Sequence, residues 1–293
     1  MMKKLLFILI LLFTGIVAYG KNIVITSIQP LYSLVSILTE GTDIESYTPF
    51  ESDVSMTTSR EAMKEENFNL DIAKKAQAVV DIAHVWPEDM IYAKARLKNI
   101  HIIEIDASHN YDDKKPTLFV NEYRSGKINP YIWMSSKNLI KMANLIAGDL
   151  EKIYPKNSKK IENNLRKFSK ELLVEEKNID KRLLDTATSE VISLSENLNY
   201  FLNDMNIYTE YYDYSKLNEE NVKDIIEQYG IKTIVSDRWV KKKVIKAIEN
   251  AGGTFVYINT LDIPYDKDGK MDPQAILKVY RENSDALLKG LNH

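Results

Sequence analysis

The chain has no cysteine among its 293 residues, and this absence excludes two features at once. It can form no disulfide, and it cannot be acylated on a cysteine at a signal-peptide cleavage point, which closes the lipoprotein route. Histidine is also scarce, with four residues in the whole chain. With so few imidazole groups, the sequence offers no recognisable arrangement of serine, histidine and aspartate for nucleophilic catalysis.

Other sequence signatures of catalysis and of nucleic-acid binding are missing as well. There is no Gly-x-Ser-x-Gly elbow, no glycine-rich phosphate loop and no His-Glu-x-x-His helix. Charges of both signs alternate along a chain of formal net charge -3, without a long basic block or basic residues interleaved with aromatic ones. We therefore predict a protein that is not an enzyme and does not bind nucleic acid.

The first twenty residues have the three parts of a Sec signal peptide. Lys3 and Lys4 are followed by an apolar run that begins at Leu5, and the small residues Ala18 and Gly20 end it. This run is shorter than the roughly 20 residues that a membrane-spanning helix needs, so we predict cleavage after Gly20 rather than an uncleaved anchor. The expected mature protein has a net charge of about -5 and is periplasmic or secreted.

The chain alternates between two hydrophobic periods. Short β-branched runs are followed by amphipathic stretches, which is typical of βα units with parallel sheets. Helices are predicted at residues 87–97, where proline stands first, and at residues 240–250, which Gly252 and Gly253 close. The pattern predicts an α/β fold with two halves. The predicted strands are residues 22–26, 78–83 and 100–106 in the first half and 190–194, 208–212, 233–236 and 254–258 in the second.

Residues 136–185, between the halves, carry no strand pattern. Pro155 interrupts them, and Asn157, a good N-cap, restarts a helix. The apolar residues of its second part are spaced for one buried helical face, so we predict a long helix packed across both halves, with a solvated coiled-coil arm as the alternative. The predicted domains are a signal peptide at 1–20, an N-terminal α/β lobe at 21–135, connecting helices at 136–185 and a C-terminal α/β lobe at 186–293.

The segment Asn129-Pro130-Tyr131-Ile132-Trp133-Met134 resembles the Asp-Pro-His-Val-Trp-Leu signature of the zinc/manganese-type ABC transporter solute-binding proteins. Residues 25–35 are similar to that family's opening strand followed by Pro-Leu-Tyr-Ser-Leu, residues 76–82 resemble its Ala-Asp-Leu-Val-Val strand, and Glu88 falls where the following loop usually carries a glutamate. The resemblance covers nearly all of the mature chain. It implies two lobes, each with a mainly parallel sheet, joined by a long rigid helix, with zinc or manganese held in the cleft between them for delivery to a permease.

The same resemblance implies four metal-ligand positions, normally filled by histidines and carboxylates, two from each lobe. None of them carries the family residue here. A neutral phenol in place of a histidine is a poor ligand, because its oxygen must first lose a proton of pKa about 10. We therefore predict a degenerate or rebuilt site that suits a small polar solute as well as a metal ion. Carried over by position, the first ligand falls on Ser52 beside Asp53, or on Glu61 if the gap is placed earlier, the second on Tyr131, the third on Ser195 and the fourth on Asn259.

One group of residues could restore metal binding at a displaced position. His84 follows a predicted strand, where α/β proteins place ligand-binding loops, and Glu51, Asp53 and Glu88 could complete a site of one nitrogen and several oxygens. The alternative is a loop histidine bonded to its neighbours.

Two tryptophans are further candidates for the cleft. Trp86 and Trp133 could stack on a bound solute, or they could pack between strand and helix.

These observations favour an exported, monomeric receptor that binds a metal ion or small polar solute between its lobes and delivers it to an ABC permease in the inner membrane. The alternative is a non-transport protein, such as an adhesin or envelope assembly factor, that uses the same fold as a scaffold.

Overall fold

The first half of the chain forms a parallel four-stranded sheet. The computed structural model describes residues 21–50, 54–65, 68–110, 117–262 and 270–292, so the predicted signal peptide lies outside the described residues. The strands lie in the order β2-β1-β3-β4, and every neighbouring pair is parallel. They are β1 (Asn22–Thr26), β2 (Ile44–Tyr47), β3 (Ala78–Asp81) and β4 (Ile103–Asp106).

The second half repeats this arrangement. Its sheet has the order β6-β5-β7-β8, again with parallel neighbours throughout. In each sheet the strand that comes first in the sequence is a central strand, and the next two strands in the sequence pair with its two opposite edges. Such a reversal opens a crevice at the carboxyl ends of the two central strands. The strands are β5 (Glu190–Ser193), β6 (Tyr208–Tyr211), β7 (Thr233–Ser236) and β8 (Thr254–Tyr257).

Helices cover both sheets, as the alternating pattern predicts. The first half carries α1 (Gln29–Leu38), α2 (Met56–Ala62) and α3 (Ile91–Lys98). The second carries α6 (Asn199–Asp204), α7 (Val222–Tyr229), α8 (Lys242–Asn250) and α9 (Ala275–Gly290). Between the halves run α4 (Ser136–Ile153) and α5 (Ser158–Leu183). The predicted class, two α/β lobes with a long connecting helix, is confirmed.

Three local predictions are corrected by the structure. The helix expected from Pro87 begins at Ile91, because the Asp89 carboxylate accepts the Ile91 N–H and residues 86–89 form a turn. The strand expected from residue 100 begins at Ile103, because Asn99 holds a turn by donating to the backbone of the preceding loop. The edge strand β2 was not predicted, since four residues are too short for a clear period-two pattern.

The helix α5 is the longest element, and its 26 residues span about 39 Å. Its apolar stripe is buried, with Phe168 and Leu172 at 1% and 0% exposure, and it packs against α4, against α1 of the first half and against α9 of the second. Asn164 donates two hydrogen bonds of 2.9 Å, one to the carbonyl of Leu38, the last residue of α1, and one to that of Glu40 in the turn that follows. The predicted packing of this helix across both halves is confirmed.

Charged groups extend the contact between α5 and α9. Arg281 Nε lies 3.0 Å from Glu175 Oε2, and Arg182 pairs with Asp285. The pairs are largely exposed, so they contribute little to stability compared with the buried stripe. In the part of the chain that the structure describes, no helix combines the length and the apolar character needed to cross a membrane.

The buried stripe gives a prediction about stability. Phe168→Ala should lower the free energy of unfolding by about 3–5 kcal/mol, because it leaves a cavity where α5 meets the helices of both halves. Urea unfolding followed by circular dichroism measures this loss. Leu173→Ala, on the exposed side of the same helix, is the control and should change stability by about 0.5 kcal/mol or less. Equal losses for the two variants would contradict the bridging role of the stripe.

Candidate functional site

A cavity of about 1150 Å³ opens between the two halves. One wall consists of residues at the carboxyl ends of β5, β6, β7 and β8, and the other of loop residues from the first half and the segment that precedes α4. In α/β proteins, ligands bind at this edge of a parallel sheet. The wall from the first half is formed by Ser55, Thr57, Tyr123, Arg124 and Tyr131.

The crevice in the second sheet lies between its central strands, β5 and β7, and a serine and an aspartate meet there. Ser195 follows β5 and Asp237 follows β7. Ser195 Oγ donates to Asp237 Oδ2 at 2.8 Å, and Asn197 Nδ2 donates to the same oxygen at 2.7 Å. These two bonds hold the carboxylate in one orientation at the edge of the cavity.

The second oxygen of Asp237 is in a different situation. The side chain is only 7% exposed, yet its Oδ1 accepts no hydrogen bond from any residue that the structure describes. The nearest cation, Arg238, has its Nε 3.7 Å away, beyond hydrogen-bonding range, and its guanidinium lies over the ring of Tyr214. A buried carboxylate oxygen without a donor is costly, and a cationic ligand would relieve that cost.

A second carboxylate, Asp262, borders the same cavity. Burial raises its pKa, and the negative charge of Asp237 raises it further. Its Oδ1 accepts the Met56 N–H at 3.1 Å, a bond that joins the two halves across the cleft. The preceding residue, Leu261, is buried with φ of 60°, a conformation that costs a leucine about 1–2 kcal/mol. Such strain is typical of functional loops, and here it precedes the carboxylate directly.

The segment that resembles the family signature crosses between the halves beneath the cavity. Asn129 Nδ2 donates to the carbonyl of Glu196 at 2.9 Å, and the Trp133 indole N–H donates to the carbonyl of Thr260 at 2.9 Å. The Tyr200 hydroxyl adds a bond to the carbonyl of Asn129 at 2.9 Å. The segment is therefore fixed to two loops of the second half, with Tyr131 between its two attachment points.

Tyr131 is a neutral phenol in this setting. Its side chain lines the cavity at 5% exposure, and its ring packs on Trp133 with centroids 5.1 Å apart. Burial raises the pKa of Tyr131 well above the usual value, and the charges of Asp262 and Asp237 raise it further. The phenolate that a metal ligand requires is thus disfavoured at neutral pH.

Aromatic residues form much of the cavity wall. Tyr211 and Tyr214 lie under the guanidinium groups of Arg124 and Arg238, at 5.2 and 4.2 Å. Trp239, in the loop after β7, stacks on Tyr257 of β8 with ring centroids 4.9 Å apart. The lining tyrosines are Tyr123, Tyr131, Tyr211, Tyr212, Tyr214 and Tyr257.

The structure brings three of the predicted ligand positions together, since Tyr131, Ser195 and Asn259 all line the cavity. The Asn259 side-chain oxygen accepts the Leu261 N–H at 2.8 Å and so supports the strained turn. Glu61, the alternative first position, is an exposed residue paired with Lys64 and borders a side cavity instead. Ser52, Asp53 and Glu51 lie outside the described residues.

The two tryptophans have different positions. Trp133 is 2% exposed and lies behind Tyr131 with its N–H already bonded, so it does not line the cavity, and the packing interpretation describes it. Trp86 borders the side cavity of about 740 Å³, as does Glu88. Thr57, Tyr123, Tyr131 and Asn197 border both cavities.

His84 packs on another histidine in the described part of the chain. Its ring lies on that of His109, with centroids 4.1 Å apart, and its backbone N–H donates to Asp106 at 2.9 Å. Among residues 21–50, 54–65, 68–110, 117–262 and 270–292, no three histidine, aspartate or glutamate side chains converge as a metal site. The displaced site stays a prediction, because Glu51 and Asp53 lie outside these ranges.

The first sheet has buried carboxyls at its own crevice. Ser27, after β1, donates to Asp89 at 2.5 Å, and Asp81 ends the neighbouring strand β3. Asp81 is 0% exposed, and its Oδ2 finds no donor within the described part of the chain. Burial raises the pKa of both carboxyls, and for Asp81 the charges of Asp89, Asp106 and Glu104 add to this effect. No lining residue of the interlobe cavity belongs to this group.

Asp237 and Asp262 are the functional candidates that sequence reasoning missed. Asp237 directly follows a strand that was predicted correctly, so the rule that ligands gather at the carboxyl ends of parallel strands could have found it. Asp262 could not be predicted in the same way, because it follows an irregular turn at residues 258–261. No sequence pattern indicates that Leu261 in this turn has a left-handed backbone conformation.

Comparison with known proteins gives the following similarities. The family model described as "ZnuA: Zinc-uptake complex component A periplasmic" matches residues 24–290. Among solved structures, the metal-dependent lipoprotein YcdH from Bacillus subtilis is similar at 17% identity, with a TM-score of 0.73 over 93% of this chain and 100% of that one. No curated protein matches the sequence.

Two other structures were solved with a metal. The Zn(II)-bound ZnuA-like domain of Streptococcus pneumoniae AdcA has 15% identity and a TM-score of 0.71, over 94% of this chain and 100% of that one. FpvC from Pseudomonas aeruginosa in complex with Mn2+ has 18% identity and a TM-score of 0.70, over 92% and 98%. At these identities the structures show a shared fold.

The buried carboxyls of the first sheet give a prediction on pH. Because the folded state raises the pKa of Asp81, it retains a proton that the unfolded chain releases near pH 4. The contribution of Asp81 to stability is therefore present below that pH and is lost as the pH rises toward the raised pKa. We expect urea unfolding from pH 5 to 8 to show a smaller decrease in stability for Asp81→Asn than for the wild type.

The exposed Asp213 provides the control. The Ser215 hydroxyl and backbone N–H lower its pKa, so its effect on the pH dependence of stability has the opposite sign to that of Asp81. Asp213→Asn should therefore keep the wild-type decrease. A parallel pH profile for Asp81→Asn and the wild type would show that Asp81 titrates as an ordinary carboxyl.

Proposed function

Since the matching family model spans residues 24–290, the chain belongs to the zinc-uptake complex component A family of extracytoplasmic ABC-transporter solute-binding proteins, and we propose that it binds a positively charged solute between its lobes. The family is a class of binding proteins rather than enzymes. The proposed role is to capture this solute outside the cytoplasm and deliver it to an ABC permease in the inner membrane.

One observation carries the cationic character of the solute. Asp237 and Asp262 border the same cavity, and the Asp237 side chain is buried while Asp262 is partly buried. The Ser195 and Asn197 donors satisfy one oxygen of Asp237 and leave the other without a hydrogen bond from the described residues. Two carboxylates that repel each other in a sheltered cleft gain most from a cation placed between them.

The proposed site is a rebuilt version of the family's metal site. The positions that correspond to the family ligands carry a phenol, a hydroxyl and an amide at Tyr131, Ser195 and Asn259, and none of the described lining residues is a histidine. Zinc strongly favours imidazole or thiolate ligands, whereas carboxylates and neutral oxygens suit other cations. We therefore do not carry over to this chain the zinc named for AdcA or the manganese named for FpvC.

Binding would act on the contact between the halves. The bond from the Met56 N–H to Asp262 already crosses the cleft at 3.1 Å. A cation beside Asp262 would reduce its repulsion with Asp237 and so favour the arrangement in which this bond is made. The permease would then recognise the lobes in their closed arrangement. In this proposal residues 1–20 direct export and are removed, residues 21–135 and 186–293 form the lobes, and the mature protein acts as a monomer.

The proposed function predicts that the protein retains a cation when it is exported and purified without chelator. Native mass spectrometry should show one bound cationic species per chain, and the double variant Asp237→Asn, Asp262→Asn should lose it because both charges that hold it are gone. Asp285→Asn, which removes an exposed carboxylate on α9, should retain the species. A bound neutral or anionic species, or a cation that persists in the double variant, would contradict the proposal.

The rebuilt site predicts a gain of function. The double variant Tyr131→His, Ser195→His places two imidazoles in a cavity that already holds two carboxylates, so its affinity for Zn2+ should rise by at least about tenfold over the wild type. Isothermal titration calorimetry measures the change, and His84→Ala in both backgrounds tests the displaced site. Tight stoichiometric zinc binding by the wild type that also survives His84→Ala would show that the family site had not been lost.

A further inference from the structure

We propose that the solute is a small organic ammonium ion rather than a bare metal ion, with its N–H groups on Asp237 Oδ1 and Asp262 and its body against the tyrosine wall. This inference rests on the proposed function and names its substrate class. It depends on the direction of hydrogen bonding at Asp237, the size of the cavity, the composition of its wall and the balance of charge around it.

The hydrogen-bonding pattern at Asp237 favours a ligand that carries a hydrogen-bond donor. Oδ2 already accepts from Ser195 Oγ and Asn197 Nδ2, and Tyr123 holds Asn197 in place by donating to its Oδ1 at 2.8 Å. This chain of bonds leaves Oδ1 as a fixed acceptor, and its only cationic neighbour among the described residues is a guanidinium 3.7 Å away. An ammonium N–H supplies the missing donor and a positive charge in the same group.

The cavity is too large for an ion alone. Its volume of about 1150 Å³ lies at the upper end of the roughly 300–1,000 Å³ that is typical of pockets for small organic ligands. A bare ion would touch only a small part of this surface and leave the rest unused. An organic body attached to the cation would instead contact the wall.

The wall suits such a body. Six tyrosines among the described residues line the cavity, and Tyr131 and Tyr257 are each backed by a tryptophan ring, at 5.1 and 4.9 Å between centroids. Aromatic faces attract ammonium groups and the polarised C–H groups beside them, and phenol oxygens accept hydrogen bonds. Since burial keeps Tyr131 protonated, its phenol contacts a ligand as a neutral group.

The charges around the cavity leave room for about one positive charge. Two of the lining bases are paired with lining acids: Arg124 Nε lies 3.0 Å from Glu196, and Lys216 Nζ lies 4.0 Å from Asp213. Arg238 is the weak partner of Asp237, which leaves Asp262 without a basic partner within the described ranges. A monocation balances this charge, whereas a divalent metal would leave an excess positive charge among the described lining residues.

The test uses three primary ammonium probes of increasing size, ethanolamine, 4-aminobutan-1-ol and tyramine. Each is paired with its uncharged counterpart, ethylene glycol, 1,4-butanediol and tyrosol. The mature wild-type protein is unfolded in urea and refolded to remove retained solute, then titrated calorimetrically in phosphate buffer, because Tris is itself a primary ammonium. At least one ammonium probe should bind one-to-one, and its alcohol counterpart should bind at least about tenfold more weakly.

Asp237→Asn should weaken the binding of that ammonium probe by about ten- to a hundredfold, because it removes a charge-assisted hydrogen bond inside a sheltered site. Asp71→Asn, which removes an exposed carboxylate in the first half, is the charge-matched control and should bind as the wild type does. Circular dichroism of each refolded variant confirms that it has regained the native fold.

Each remaining outcome counts against the inference. If none of the three ammonium probes binds the wild type, if the alcohols bind equally well, or if Asp237→Asn binds unchanged, the ammonium assignment is wrong. If Mn2+ or Zn2+ alone instead binds one-to-one and Asp237→Asn abolishes this binding, the inference fails while the proposed cation receptor stands. If neither the probes nor the metals bind the wild type, both proposals fail.

Discussion

Two hydrogen bonds fix the segment on which the geometry of the cleft depends. Asn129 and Trp133 each donate to a carbonyl of the second half, those of Glu196 and Thr260, and Tyr131 lies between them. Glu196 follows Ser195, and Thr260 stands two residues before Asp262. The bonds therefore fix one wall of the cavity relative to the two loops that carry its polar groups. Trp133 therefore has a structural role in this segment, since its indole N–H makes one of the two bonds.

The two sheets use the same pair of residue types at their crevices, with different results. In the first half Ser27 donates to Asp89 in a buried group of carboxyls that does not border the interlobe cavity. In the second half Ser195 donates to Asp237 at the edge of that cavity. Burial raises the pKa of Asp89, which favours the protonated form of that carboxyl. Asp237 instead borders the cavity, where a ligand can reach it.

The sequence was sufficient for the architecture because hydrophobic periodicity is a local signal. The strands β1 and β7 have the predicted bounds, and the apolar spacing around Phe168 identified the helix that bridges the halves. Only part of the lining of the cavity could be predicted from the sequence. Tyr131, Ser195 and Asn259 were found by position, whereas Asp262 depends on the left-handed turn at Leu261 and on a hydrogen bond to residue 56. Contacts between residues so far apart in sequence leave no periodic trace.

The chemistry of the cleft follows from the groups that line it. The phenol of Tyr131, the hydroxyl of Ser195 and the amide of Asn259 can donate or accept hydrogen bonds, so the polar groups of a ligand can be satisfied there without imidazole. The carboxylates remain, and without a strongly bound dication their mutual repulsion would be left unbalanced. Ser195 and Asn197 donate hydrogen bonds to one oxygen of Asp237 and so offset only part of this repulsion. The other oxygen requires a donor with positive charge, and an ammonium ion meets both requirements without the nitrogen ligands that zinc needs.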